Sequence, residues 1–179
     1  RHGKTILNDG SFLGQGRDPK LMESLEPLKH QFKAVFSSPL KRAMMSAKEL
    51  SPNHNPYLDP RLSEINYGKA EGLFLEDLKK EFPDLYESWS KGKDARFPNG
   101  ENHMDVMNRL KLFLDSIQDH SGTILVVTHN VVIRCLIGMT WKIPINQWFK
   151  LVVPHAREIE LLCLESRYYL NMDSTTKEI

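Results

Sequence analysis

Apolar positions along the chain switch between two periods. Residues 33–38, KAVFSS, form a short apolar run closed by serines, which predicts a buried strand. PLKRAMMSAKEL (39–50) follows at once and places Leu40, Ala43, Met44, Ala47 and Leu50 on one helical face. Pro39 suits a first helical turn and Ser38 an N-cap. Residues 51–62 are rich in Pro and Asn and read as loop. Residues 74–92 predict two short helices broken near Pro83, and 96–102 a loop of turn residues. Residues 103–119 predict an amphipathic helix with Met104, Met107, Leu110, Leu114 and Ile117 on its apolar face. TILVVT (123–128) is apolar on both faces, the pattern of a central parallel strand covered by helices on either side. Residues 131–141 predict a buried helix. Residues 157–165 and 168–172 predict late strands, joined as a hairpin around Ser166 and Arg167.

Strands alternating with helices imply an α/β sandwich with a mostly parallel sheet. At 179 residues, with neither repeat nor linker, the chain is expected to be one domain over 1–179. The formal net charge is +1, from 24 basic and 23 acidic residues, which gives no general pull toward nucleic acid or a membrane surface. No apolar run reaches the roughly 18 residues of a membrane span. Cys135 and Cys163 lie in apolar contexts and read as two buried free thiols of a cytoplasmic protein. No Cys/His cluster has zinc spacing, so no metal site is expected.

In such sheets ligands sit beyond the C-terminal ends of the strands. His129 ends strand 123–128, and Arg42 lies on the first turn after strand 33–38. The helix N-termini there offer free N–H groups, which suits an anion. If residues 1–3, Arg-His-Gly, end another strand, two histidines and two arginines converge on one edge. Two arginines can clamp a phosphate, and a neutral imidazole can attack phosphorus. A leaving alkoxide needs a proton, for which Glu64 is the candidate.

RHGKT with Asn8, GQGRDPKL (14–21), SSPLKRAMMSA (37–47), LSEINYGKAEG (62–72), FPNGEN (97–102) and VVTHNVVIR (126–134) occur in an order and spacing that resemble the histidine phosphatase superfamily. The resemblance covers residue 1 to about His155. It implies the phosphoglycerate mutase-like fold, a three-layer α/β/α sandwich with a mostly parallel central sheet. It implies that His2 becomes phosphohistidine, that Arg1, Arg42 and His129 bind the phosphoryl group, and that Glu64 protonates the leaving oxygen. Asn8, Gly16, Tyr67 and Asn130 are implied as phosphate or substrate contacts. The reaction is implied to need no metal and no cofactor, and the partner is a small phosphorylated substrate. The fold also leads into its Arg-His-Gly from a hydrophobic strand, so a short apolar strand is expected before Arg1.

Within the superfamily, the short segment between Glu64 and Phe97 favours an open site and hydrolysis. A phosphatase is the first reading, a 2,3-bisphosphoglycerate-dependent mutase the second, and a non-catalytic phosphate-binding regulatory domain the third. The acid and loop motifs are similar to those of both ribazole-phosphate phosphatases and fructose-2,6-bisphosphatase-type domains. His155 is expected to be structural. Glu101 is expected either to touch substrate or to cap the helix from 103. The pattern leaves monomer and homodimer both open.

Overall fold

The computed structural model describes residues 1–165 and 167–171. Its elements in chain order are β1 (Ala34–Ser37), α1 (Lys41–Leu50), β2 (Tyr57–Leu58), α2 (Leu75–Glu81), α3 (Pro83–Ser90), α4 (His103–Ile117), β3 (Ile124–Val127), α5 (Asn130–Trp141), β4 (Leu161–Leu164) and β5 (Arg167–Leu170). The first three strands form a parallel sheet in the order β2-β1-β3. Ala34 pairs with Ile124 and Ser37 with Val127, so β1 and β3 end at the same level.

The strands are apolar on both sides because both faces are covered. Val35 and Val127 pack on Ala43 and Ala47 of α1. Phe36, Ile124 and Val126 face the larger core, built from Val106, Leu110, Phe113 and Ile117 of α4 with Val131, Val132 and Cys135 of α5. The fold is therefore a three-layer α/β/α sandwich around a parallel sheet. Residues 1–3 lie beside the end of β3: His2 N–H donates to the Thr128 carbonyl (3.0 Å), and Ala156 N–H donates to the His2 carbonyl (3.2 Å).

Several details differ from the sequence pattern. The core side of α4 is Val106, Leu110, Phe113 and Ile117, whereas Met104 is exposed. Phe113 is buried on the sheet side of the helix, where it meets Phe36 edge-on at 5.5 Å. The segment 51–62 contains strand β2 and a 3-10 turn at Pro60–Leu62. A two-residue strand carries no readable period. Helix α1 starts later than Pro39, and Ser38 does not cap it. The Asp18 carboxylate does, taking the N–H groups of Lys41 (2.5 Å) and Arg42 (3.4 Å). β4 and β5 form a separate antiparallel hairpin outside the parallel sheet. It reaches α4 through the Tyr168 hydroxyl, which donates to the Leu114 carbonyl (2.7 Å). Cys135 is buried as expected, but Cys163 is exposed on this hairpin. Ser166 and Met172, at the expected turn and strand end, lie outside the described residues.

Candidate active site

The parallel strands deliver their polar ends to one edge. Beyond β3, chain geometry puts Thr128 and His129 before α5; beyond β1 it puts Ser38 before α1. A cavity of about 330 Å³ opens there, with Arg1, His2, Asn8, Glu64, Tyr67 and Asn130 in its wall. His129 and Arg42 lie directly behind that wall, both fully buried. The His2 and His129 rings are 5.0 Å apart between centroids, close enough to share one phosphoryl group.

His2 is held in one tautomer. Its Nδ1–H donates to the Gly3 carbonyl (2.7 Å), and a carbonyl only accepts, so Nε2 keeps its lone pair. Burial, with Arg42, Arg1 and His155 nearby, pushes the imidazole down to about 2. The ring is therefore neutral at any ordinary pH.

Arg42 reaches the substrate loop. Its guanidinium donates to the Gly14 carbonyl (2.7 Å), the Arg17 carbonyl (3.2 Å) and Asp18 Oδ1 (3.2 Å), while Nε is buried without a partner. Arg1 donates to the Val153 carbonyl (2.5 Å), and its Nε is likewise unpartnered. Burial lowers both guanidinium groups, Arg1 to about 10, so both stay charged at neutral pH. Buried cationic N–H groups without partners mark places where an anion completes the hydrogen bonding.

Glu64 is buried among donors. Its carboxylate accepts from Ile65 N–H (3.0 Å) and from Val131 N–H in the first turn of α5 (3.1 and 3.4 Å). Burial outweighs these contacts and the arginines, and raises its pKa. The helix ends expected to be open to an anion are thus partly filled, α5 by Glu64 and α1 by Asp18.

The acid loop is held from outside. Arg109 on α4 donates to the carbonyls of Arg61 (2.6 Å) and Glu64 (3.2 Å) and pairs with Glu101 at 3.0 and 3.1 Å. Glu101 also accepts from Asn66 N–H (2.8 Å), so it neither lines the cavity nor caps α4. That cap comes from Asn102 and Asp105, with Asp94 on the N–H groups of His103 and Met104. Gly68 lets the loops cross: its φ is +52°, and a Cβ there would meet the Pro98 carbonyl oxygen at 2.1 Å.

Of the substrate contacts expected, Asn8, Tyr67 and Asn130 line the cavity. Asn8 Oδ1 accepts from Thr5 N–H (2.8 Å), which leaves its amide N–H₂ for the cavity. Gly16 does not line it, because its N–H donates to Glu71 (2.9 Å), which also takes Gly14 and Arg17 N–H. Among the lining residues with no site role expected of them, two carry titratable side chains. His155 sits 5.5 Å from His2 between ring centroids, with Nε2 buried and unpartnered. Arg134 donates through Nε to the Leu151 carbonyl (2.9 Å) and offers its other nitrogens to the cavity. Asn130 and Arg134 are four apart on α5 and so share a face. That spacing could have revealed Arg134. Among the described residues, no group of three or more His, Cys, Asp or Glu is placed to hold a metal ion. A cavity of about 350 Å³ near His30 and His54 has no unpartnered buried polar atom among its lining residues.

The histidines predict an acid-side instability. His155 is lowered to about 4, by burial first and then by Arg1 and Lys4. His2 lies lower still, and burial also holds His129 well below 6.5. The unfolded chain binds protons near 6.5 and the fold does not, so stability present above 6.5 is lost as pH falls toward 4. Glu64, raised from 4.5, opposes this in sign, since its stabilisation fades as pH rises. Thermal melts from neutral to mildly acid pH are expected to fall, and the fall to be smaller in His155→Gln. An equal slope in both proteins would contradict this.

A profile of the histidine phosphatase superfamily (branch 1) matches residues 1–171. Phosphoserine phosphatase 1 of Hydrogenobacter thermophilus is 27% identical over 135 residues, covering 73% of this chain and 64% of that protein. The 6-phosphofructo-2-kinase/fructose-2,6-bisphosphatase of Arabidopsis thaliana is 28% identical over 163 residues, covering 89% of this chain and 21% of that protein. The chain thus spans less than two thirds of the length of either curated relative. The crystal structure of phosphoglycerate mutase from Thermus thermophilus superposes with a TM-score of 0.64 at 28% identity, covering 78% of this chain and 81% of that one. A mycobacterial glucosyl-3-phosphoglycerate phosphatase shares the fold, with a TM-score of 0.77 at 24% identity and coverage of 96% and 94%. With the profile spanning nearly the whole chain, and the fold and ordered motifs in agreement with it, the chain belongs to the histidine phosphatase superfamily, branch 1.

Proposed function

We propose that the protein is a phosphomonoesterase that hydrolyses a small phosphorylated metabolite through a phosphohistidine on His2. The observation that carries this reading is the neutral His2, Nε2 lone pair free, within 5.0 Å of His129 and beside the raised Glu64 carboxyl. His2 Nε2 attacks phosphorus, the ester P–O bond breaks, and the leaving oxygen takes the Glu64 proton. Water then attacks the phosphohistidine as the Glu64 carboxylate takes its proton. The P–N bond breaks, and neutral His2, protonated Glu64 and inorganic phosphate remain. Arg1 and Arg42 balance charge on the equatorial oxygens.

The cavity favours a substrate with a second anionic group. Among the described residues Arg134 has no carboxylate partner and its terminal nitrogens form no hydrogen bond, and the Asn130 side-chain oxygen is buried without a donor. A carboxylate or second phosphate suits Arg134, and a substrate hydroxyl suits Asn130. Phosphoserine phosphatase and fructose-2,6-bisphosphatase, the names borne by the relatives, both imply substrates of this kind.

The test is a screen of phosphoserine, 3-phosphoglycerate and fructose 2,6-bisphosphate against p-nitrophenyl phosphate, in wild type and Arg134→Gln. For the preferred doubly anionic ester, kcat/KM is expected to fall roughly 10- to 100-fold, as for loss of a charged hydrogen bond. p-Nitrophenyl phosphate hydrolysis is expected to change little. Equal losses on both would remove Arg134 from substrate choice. Isomerisation of 3-phosphoglycerate faster than any hydrolysis would favour a mutase.

A further inference from the structure

We propose that Ser38 fixes His129 as its Nδ1–H tautomer, which makes the open nitrogen of that ring a hydrogen-bond donor to the phosphoryl group. The tautomer follows from the hydrogen bonds alone; its use rests on the phosphatase reading above.

Ser38 follows β1 and is fully buried. Its N–H donates to the Val127 carbonyl (3.0 Å), which locks it against the end of β3. Its hydroxyl oxygen accepts from Leu40 N–H (3.2 Å) and lies 2.8 Å from His129 Nε2. No other hydrogen bond to that hydroxyl occurs among the described residues. If Nε2 carried the ring proton, Ser38 Oγ would accept two N–H bonds. Its own proton would then be buried without an acceptor, an arrangement folded proteins avoid. If the hydroxyl donates to Nε2, the hydroxyl and Nε2 are both satisfied, and only Nδ1–H is left for a ligand. The ring is neutral, since burial, His2 and Arg42 hold its pKa well below 6.5. It carries one proton, which is then on Nδ1.

Nδ1 is buried and has no protein partner. The two histidines thus share a tautomer and differ in what they present. His2 spends its Nδ1–H on the Gly3 carbonyl and offers a lone pair, whereas His129 spends its lone pair on Ser38 and offers an N–H. An exposed lone pair on His129 would repel a phosphoryl oxygen. Ser38 prevents that, so it is a positioning residue acting through His129.

Isotope-labelled histidine NMR reads both ring nitrogens directly. His129 would be assigned by the signals missing from His129→Gln, and spectra recorded near neutral pH without ligand. Wild type is expected to show protonated Nδ1 at His129. In Ser38→Ala the ring is expected to shift toward Nε2–H, and inorganic phosphate to bind roughly tenfold more weakly, as for loss of a hydrogen bond to a charged group. Ser38→Thr keeps the hydroxyl and is expected to restore both properties. Protonated Nε2 in wild type would overturn the proposal whether or not the variants fold. An unchanged tautomer and unchanged phosphate affinity in Ser38→Ala would overturn it too. A wild type with the expected tautomer and no affinity for inorganic phosphate would count against the phosphatase reading, and leave the tautomer assignment standing.

Discussion

His2→Ala abolishes hydrolysis: kcat is expected to fall on the order of 10⁴- to 10⁶-fold, the scale seen when a covalent nucleophile is removed. Neither His129 nor Glu64 stands ready to replace it. The His129 Nε2 is engaged by Ser38 at 2.8 Å, and Glu64 is held by the backbone N–H groups of Ile65 and Val131. The fold should survive the change, because the backbone bonds from His2 N–H to Thr128 and from Ala156 N–H to His2 do not use the side chain. Circular dichroism and melting temperature check that the variant is folded. Wild-type activity should persist in EDTA, since the charge compensation proposed here comes from arginines. Activity that survives His2→Ala in a folded protein would remove His2 from the chemistry.

Glu64→Gln has the second largest expected effect. The amide oxygen can still accept from Ile65 and Val131 N–H, so the loop keeps its geometry, but the transferable proton is gone. The kcat for esters of ordinary alcohols is expected to fall roughly 10²- to 10⁴-fold, the usual contribution of a general acid. For p-nitrophenyl phosphate, whose leaving group departs without a proton, the fall in the first step should be much smaller. The pH profile carries the same signature. Burial raises the Glu64 pKa, so the acid form persists above the usual 4.5, and kcat for ordinary esters falls as pH rises through the raised value. In Glu64→Gln that alkaline limb should disappear. Equal losses on activated and ordinary esters in the rate of the phosphorylation step would remove Glu64 as the general acid.

The sequence carries the local part of this design and not the tertiary part. β1, β3, α4 and α5 are legible because each has a period that its own residues define. His2, Arg42, Glu64 and His129 are legible through six ordered motifs. Features made by tertiary contact are not. β2 is two residues long and exists only by pairing Tyr57 and Leu58 with β1. Asp18 caps α1 from 23 residues upstream, and no local rule connects them. Ser38 fits the pattern of an N-cap, yet its hydroxyl faces His129, 91 residues on, because β1 and β3 pair in register. Arg109 is likewise an ordinary charge until the acid loop folds over it, and Glu101, expected to touch substrate or cap α4, holds that loop instead.

The central claim is a covalent bond from phosphorus to His2, and its most direct test is to trap it. Enzyme mixed with excess phosphoryl substrate, quenched in alkali and digested, would be mapped by mass spectrometry. An acid-labile, alkali-stable phosphate is expected on the peptide that carries His2, formed within one turnover and absent from His2→Ala. Rapid hydrolysis with no phosphorylated His2 peptide, or with inversion of configuration at a chiral phosphorus, would mean direct attack by water and contradict it.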